Sequence, residues 1–247
     1  MKPLSLSLAI GMACSLLSFS AAQAQQPGPG SLDSVLKKMD EAAANFRTTQ
    51  ADFEWDRYER VIDEVDDVQT GTIYYRRNGN SKDIEMKADI KLAGNAPGQL
   101  KPEPKYVLFS DGKIRMYQPK PDQVTEYDLG KNSSDFESYL VLGFGGSGQD
   151  VVKAFDVTYV GAEKINGVAT AQLRLVPKST RVRNNFKQIL LWIDLDKGIS
   201  VQQKFIDPQD DYRLAKYSNI QVNGKKIPDE VFRLKTTSKT QTISSGR

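Results

Sequence analysis

Residues 51–56 read Ala-Asp-Phe-Glu-Trp-Asp, a stretch in which apolar side chains alternate with acidic ones. Residues 84–92 repeat the alternation, with Ile, Met, Ala, Ile and Leu as the apolar members. Because successive side chains of a strand point to opposite faces, this pattern is typical of antiparallel strands with one buried face. The sequence therefore predicts a sheet that buries one of its two faces.

Similar patterns continue along the chain, separated by short turns. The pairs Asp111-Gly112 and Asn166-Gly167 favour tight hairpins, because both residue types tolerate a left-handed backbone. Together the segments make about a dozen short strands, which predicts a large antiparallel sheet that curls on itself. Beyond the first two stretches, strands are expected at residues 69–76, 106–109, 114–117, 123–129, 155–160, 170–176, 188–195, 200–206, 212–222 and 231–234.

Helical patterns occur in two places. Residues 31–46 carry apolar side chains at steps of three and four, which predicts an amphipathic helix lying across the sheet. Residues 134–142 begin with a capping-box pattern and end before Gly143, which predicts a second helix. The glycine-rich stretch 143–148 follows, with a further helical turn expected at 150–154.

The N-terminal residues indicate export. Residues 1–24 contain Lys2, an apolar run and an Ala-x-Ala site, which is typical of a secretory leader cleaved after Ala24. The single cysteine, Cys14, lies inside this leader, so the mature chain must fold without disulfide bonds. We expect a linker at 25–30, one domain over 31–247, and a periplasmic location.

The composition excludes several kinds of chemistry. Histidine is absent, which removes Ser-His-Asp catalysis and imidazole metal sites. The glycines at 143–148 lack the context of a phosphate-binding loop, so neither a cofactor nor a metal is predicted. The acidic stretches 63–67 and 207–211 are interpreted as solvated turns, although Asp66 or Asp210 could serve a carboxylate-dependent hydrolase.

Short motifs recur in order along the chain. After the N-terminal helix come Gly71-Thr72-Ile73-Tyr74-Tyr75-Arg76-Arg77, Ser110-Asp111-Gly112-Lys113, Tyr117-Gln118-Pro119, Gln123-Val124, Leu173-Arg174-Leu175-Val176-Pro177-Lys178, and residues 189–194. In this order, behind an export leader, the chain resembles the periplasmic outer-membrane lipoprotein carriers, the LolA-like family.

The resemblance implies a mainly β fold with flanking helices: an incomplete, strongly bent antiparallel barrel of about eleven strands, with a helical lid over an apolar cavity. It also implies a non-enzymatic carrier that binds lipoprotein acyl chains and shuttles them toward the outer membrane. Its partners would be an inner-membrane donor transporter and an outer-membrane acceptor.

Two alternatives remain beside this function: a carrier or sensor of free lipid or glycolipid on the same fold, and, more distantly, the carboxylate hydrolase. The 34 basic and 31 acidic side chains nearly balance, so the net charge of +3 does not indicate nucleic-acid binding. We expect a monomer that is not embedded in a membrane.

Site residues are expected on the strands and in the lid. The resemblance implies that Arg77 bonds to the lid and helps to hold it shut; we call this role the lid latch. The lid is expected to contribute Phe136, Tyr139, Leu140, Leu142 and Phe144. The strand residues expected to line the cavity are Phe53, Trp55, Ile73, Tyr75, Met86, Phe109, Met116, Trp192 and Phe205.

Overall fold

The computed structural model describes residues 31–77, 84–130 and 142–244. The predicted leader at 1–24 and linker at 25–30 lie outside these residues, as does nearly all of the helix predicted at 134–142. The strands are β1 (Thr48–Glu59), β2 (Glu64–Arg77), β3 (Ile84–Gly94), β4 (Lys101–Ser110), β5 (Lys113–Gln118), β6 (Gln123–Asp128), β7 (Phe155–Ile165), β8 (Val168–Pro177), β9 (Gln188–Asp194), β10 (Ser200–Ile206), β11 (Tyr212–Val222) and β12 (Gln241–Ser244).

The strands form one open sheet in the order β12-β6-β5-β4-β3-β2-β1-β11-β10-β9-β8-β7. Two meanders, β1 to β6 and β7 to β11, are joined where β1 pairs antiparallel with β11. Only β12 is parallel to its neighbour, β6, among the pairs of this sheet. The predicted fold, an incomplete antiparallel barrel with flanking helices, is confirmed.

The C-terminal region departs from the strand prediction. Residues 231–234 were expected to form a strand, but Asp229–Phe232 is a 3₁₀ helix. Its apolar side chains pack on the outer face of the sheet, where Phe232 and Ile227 bury Leu108, so they need no strand partner. The last strand is β12, an exposed segment whose polar sequence carries little strand signal.

In the part of the chain that the structure describes, three α-helices flank the sheet: α1 (Leu32–Asn45), α2 (Gly148–Ala154) and α3 (Thr180–Arg183). The hydroxyl of Ser31 caps α1 by accepting the backbone N–H of Ser34 at 3.2 Å. Gly148 lies so close to α1 that a Cβ there would overlap the Leu36 carbonyl, so glycine allows the two helices to touch.

Two hydrophobic cores share the concave face of the sheet. In the first, Val35 and Met39 of α1 and Val151 of α2 pack onto strands β7 to β9. In the second, Phe46 and Phe144 pack onto β1 to β4 and β11. Among the described residues, α1 and α2 therefore cover one half of the concave face, while Phe46 and Phe144 reach the other half from connecting segments.

Candidate functional site

A cavity of about 520 Å³ opens on the half of the concave face that the helices leave uncovered. This volume lies within the range of roughly 300–1,000 Å³ that is usual for small-ligand sites. Its wall comes from β1 to β5, β10 and β11, together with Phe186 after α3. The lining residues are Trp55, Asp56, Arg57, Asp67, Gln69, Ile73, Tyr75, Met86, Ile90, Lys105, Val107, Met116, Gln118, Phe186, Gln203, Phe205, Arg213, Leu214, Ala215 and Tyr217.

Most of the strand residues expected at the cavity lie on its wall. Their side chains point to the concave face because they occupy alternate positions on neighbouring strands whose registers match, as with Tyr75 opposite Met86. Whether they bind a ligand remains a prediction. The expected residues that line the cavity are Trp55, Ile73, Tyr75, Met86, Met116 and Phe205.

The other expected strand residues do not line the cavity. Phe53 stacks on Trp55 with ring centroids 4.1 Å apart, and Phe109 is buried in the same core. Trp192 points to the opposite face of the sheet, because its neighbour Leu191 takes the concave side. There the Trp192 Nε1–H donates to Glu163 Oε1 at 2.5 Å.

Only two of the five expected lid residues, Leu142 and Phe144, lie within the described residues. Phe136, Tyr139 and Leu140 lie outside the described residues. Leu142 and Phe144 are fully buried, Leu142 in the core beneath the helices and Phe144 in the core beside the cavity. The segment that leaves the predicted lid is therefore packed into the concave face of the sheet.

Phe144 packs against two tyrosines that line the cavity, Tyr75 and Tyr217. The Phe144 ring stacks on Tyr75 at 5.0 Å and meets Tyr217 edge-on at 4.8 Å. Burial raises the pKa of both tyrosines above the usual value, so both phenols are neutral. The Tyr217 hydroxyl donates to Gln203 Oε1 at 3.2 Å, and Gln203 Nε2 donates to the Leu142 carbonyl. The cavity floor is thus hydrogen-bonded to the end of the lid segment.

Arg77 binds the segment on the other side of Phe144. Its guanidinium donates to the Gly145 carbonyl at 3.1 Å and to the Ala43 carbonyl at 3.0 Å. The guanidinium also lies over the Phe46 ring, 5.5 Å from its centroid. Arg77 therefore connects the end of β2 to both α1 and the segment that follows Phe144, and its role as the lid latch stays a prediction.

The sequence reasoning missed several lining residues. Ile90 and Val107 continue the alternation of strands that were predicted, so the period alone could have added them. Ala215 and Tyr217 belong to a predicted strand whose inward face could not be chosen without its neighbours. Gln203 carries no sequence signal for a cavity, because its position depends on contacts that are distant in sequence.

The carboxylates of the hydrolase alternative are held in ion pairs. Asp66 binds Arg57 through both oxygens, and this hydrogen bonding lowers the pKa of Asp66. Asp210 binds Lys187 at 2.7 Å and Arg60 at 2.8 Å, and the bond to Lys187 lowers the pKa of Asp210. Both groups are ionised near neutral pH, which does not suit a general acid. In the described part of the chain, no three acidic residues come together as a metal site would require.

Comparison with solved structures finds proteins of similar fold. An uncharacterized conserved protein from Thermus thermophilus aligns with 86% of this chain and 98% of that chain, at 10% identity and a TM-score of 0.50. A chain of the Pseudomonas aeruginosa MucA/MucB complex aligns over 81% of this chain at 13% identity, with a TM-score of 0.46. A LolA superfamily protein from Nitrosomonas europaea aligns over 83% of this chain and 98% of that chain, at 13% identity and a TM-score of 0.39.

These likenesses concern the fold alone. The open half-barrel topology described above is the fold that the sequence resemblance implies. This chain spans 60% of the length of the matched chain of the MucA/MucB complex. No protein-family model matches the sequence, and the comparison with curated proteins finds no match. Among the described residues, no helix combines the length and apolar character needed to cross a bilayer.

Proposed function

We propose that this protein is a non-enzymatic carrier that holds the acyl chains of lipidated cargo in the cavity of its half-barrel and delivers them to a membrane. The cavity carries the proposal. Its wall combines aliphatic, thioether and aromatic side chains such as Ile73, Met86 and Phe205. Hydrocarbon transferred from water to such a surface gains about 0.8 kcal/mol per methylene.

The cargo proposed first is a lipoprotein on its way to the outer membrane, as the sequence resemblance implies. A long acyl chain that gains on the order of 10 kcal/mol on burial would leave into water very slowly. Delivery would therefore pass the chain directly to an acceptor, and loading would come from a donor in the inner membrane. The predicted leader at 1–24 supports a periplasmic location for this transfer.

A free lipid or glycolipid is the second candidate cargo. The cavity volume of about 520 Å³ favours it, because this is the size of a site for one small ligand. Both candidate cargoes would bind the same apolar wall. They differ in the group that remains outside the cavity, which is a protein in one case and a lipid headgroup in the other.

The lid latch is part of the proposal. Hydrogen bonds from a charged donor contribute about 1.5–3 kcal/mol each, so the contacts of Arg77 to Gly145 and Ala43 can break without unfolding the sheet. We propose that cargo entry displaces the predicted lid at 134–142 and weakens the contact of Arg77 with Gly145.

Native mass spectrometry of the protein purified from the periplasm of its host tests the proposal. We expect a bound species whose extracted mass identifies acyl chains. Ala215→Trp places a large ring in the cavity wall and should abolish this species, whereas Ala169→Trp, at an exposed position of β8, should not. If the wild type carries no acylated species, or if Ala215→Trp carries as much as Ala169→Trp, the cavity is not the binding site.

A further inference from the structure

The mouth of the cavity carries more positive charge than the residues around it neutralise. Among the lining residues, Arg57, Arg213 and Asp67 lie in one row across β11, β1 and β2, because Arg57 is the direct partner of Arg213 on one side and of Asp67 on the other. We call this row the charged mouth. Like charges directly opposite each other on neighbouring strands are unfavourable unless another group compensates them.

Arg57 is compensated within the protein. A bulge in the pairing of β1 with β2 leaves Asp66 without a direct partner, and Asp66 uses both carboxylate oxygens to bind the Arg57 guanidinium. Glu59 lies 3.4 Å from the same guanidinium. Asp67 is engaged by Gln69, whose Nε2–H donates to it at 2.7 Å.

Arg213 has no such partner. Within residues 31–77, 84–130 and 142–244, no carboxylate lies within ion-pair distance of its guanidinium, and no hydrogen bond holds it. The acidic turn just before it offers no free group, since Asp210 is bound by Lys187 and Arg60, and Asp211 accepts the Arg60 backbone N–H at 2.8 Å. Arg213 is therefore an uncompensated cation in the wall of an apolar cavity.

Arg57 adjoins Arg213 on the β1 side, whereas the neighbours of Arg213 on β10 and along β11 are apolar. Phe205 is its direct partner on β10, and Ala215 follows it on the same face of β11; both line the cavity. A guanidinium binds a phosphate or carboxylate through parallel N–H···O bonds, which a neutral headgroup cannot accept with the same strength. A ligand that suits this surface has a hydrocarbon chain and an anionic headgroup at one end of it.

We infer that the cavity selects amphiphiles with an anionic headgroup, and that Arg213 binds this headgroup at the charged mouth while the acyl chain lies against Phe205, Met116 and Ile73. This inference rests on the proposed carrier function and narrows its ligand class. It favours the second candidate cargo, as an acidic phospholipid or a fatty acid, over the neutral diacylglyceryl group of the first, a lipoprotein.

Displacement of N-phenyl-1-naphthylamine, a neutral fluorescent probe for apolar cavities, tests the inference. The competitors are palmitoyl lysophosphatidylglycerol, which is anionic, and monopalmitoylglycerol, which is neutral and has the same chain, both below their micelle concentrations. We expect the anionic competitor to act at about five- to tenfold lower concentration, the size of one charged hydrogen-bonding contact at a partly exposed site. Arg213→Gln should remove this advantage and leave the neutral competitor unchanged, while Arg213→Lys should keep part of it.

Arg174→Gln is the matched control. Arg174 is also an exposed arginine within a strand, but it lies between Leu173 and Leu175, whose side chains fill the concave core, so it faces away from the cavity. This variant should bind both competitors like the wild type. Urea unfolding of each variant verifies that the fold is retained.

The outcomes separate the inference from the proposed function. If neither competitor displaces the probe, the carrier function itself is wrong. If both competitors displace the probe equally and Arg213→Gln changes neither result, the cavity binds acyl chains regardless of the headgroup charge, and the inference is overturned. Displacement by inorganic phosphate alone, at the concentration where the anionic lipid acts, would also overturn it, because the chain would then contribute nothing.

Discussion

Gly143 and Arg77 are single residues that fix the position of the segment following the predicted lid. Gly143 has a φ of +78°, and its carbonyl accepts the Ser200 backbone N–H at 3.0 Å, which ties the segment to β10. A Cβ at Gly143 would overlap the Ser200 side chain. Gly98 has a similar φ of +81°, but nothing lies near its Cβ position. Substitution of Gly98 therefore measures backbone strain alone, whereas substitution of Gly143 measures backbone strain together with steric overlap.

We predict that Gly143→Ala lowers the free energy of unfolding by about 2–5 kcal/mol, because a left-handed backbone costs about 1–2 kcal/mol and the overlap adds about 1–3 kcal/mol. Gly98→Ala should cost only the first of these amounts. Urea unfolding measures both. Equal losses of unfolding free energy in the two variants would mean that the segment around residue 143 moves to relieve the overlap and is not fixed against β10.

Arg77→Leu should alter ligand release without preventing folding. It removes two charged hydrogen bonds, to Gly145 and Ala43, so we expect a loss of about 3–6 kcal/mol in unfolding free energy and faster dissociation of N-phenyl-1-naphthylamine in stopped-flow measurements. Arg76→Leu is the control, because Arg76 lies on the opposite face and binds Glu85 and Asp229. Release from Arg77→Leu at the wild-type rate would disprove the latch.

At the scale of elements, the C-terminal segment is attached to the edge of the sheet by its backbone pairing with β6 and by the carboxylate of Asp122. Asp122 accepts hydrogen bonds from Thr240 at 2.6 Å, from Thr237 at 2.7 Å and from the Tyr117 hydroxyl at 3.1 Å. The bond from Thr240, followed by that from Thr237, lowers the pKa of Asp122. These contacts hold β12 in place beside β6, although every residue of β12 is exposed.

The attachment of β12 should depend on pH. Because the folded-state pKa of Asp122 lies below its ordinary value of 3.8, the contacts are fully present above that value and are lost as the pH falls through the folded-state pKa. We predict that hydrogen-exchange protection of residues 241–244, corrected for intrinsic rates, decreases over this acidic range. Asp122→Asn should already show reduced protection at neutral pH and little further change. Unchanged protection in this variant would place the anchor elsewhere.

At the scale of the whole molecule, the two halves of the sheet differ in what packs on their concave face. Helices α1 and α2 fill the concave face of β7 to β9, whereas β1 to β5 and β11 keep a cavity. Unfilled apolar surface forgoes packing contacts, so the half with the cavity should gain most when a chain occupies it. This difference predicts how stability depends on the ligand.

Palmitoyl lysophosphatidylglycerol at 100 times its dissociation constant should stabilise the fold by about 2.7 kcal/mol. For a domain of this size, that corresponds to a rise of about 5–10 °C in the Tm. Thermal unfolding with and without the lipid measures the shift. Ala215→Trp, in which the cavity is filled, should show almost none of it, and a full shift in that variant would mean that the lipid binds elsewhere.

The sequence by itself determined the kind and order of the strands up to β11 and of helices α1 and α2. The two-residue period identified the strands, the stripe in 31–46 matched α1, and the hairpin glycines marked the turns, because these signals are local. The alternation also brought Tyr75, Met86 and Met116 into the candidate cavity, since each is one of a run of apolar residues on the same face of its strand.

Only the tertiary structure decided which faces meet and where space remains. A strand pattern is the same whichever face is inward, so Trp192 could be placed outside the cavity only once β9 was seen beside its neighbours. The burial of Phe144 between Tyr75 and Tyr217, and the pairing of Arg57 with Arg213, join residues far apart in sequence. Such contacts arise from the register and curvature of the whole sheet, which no local pattern encodes.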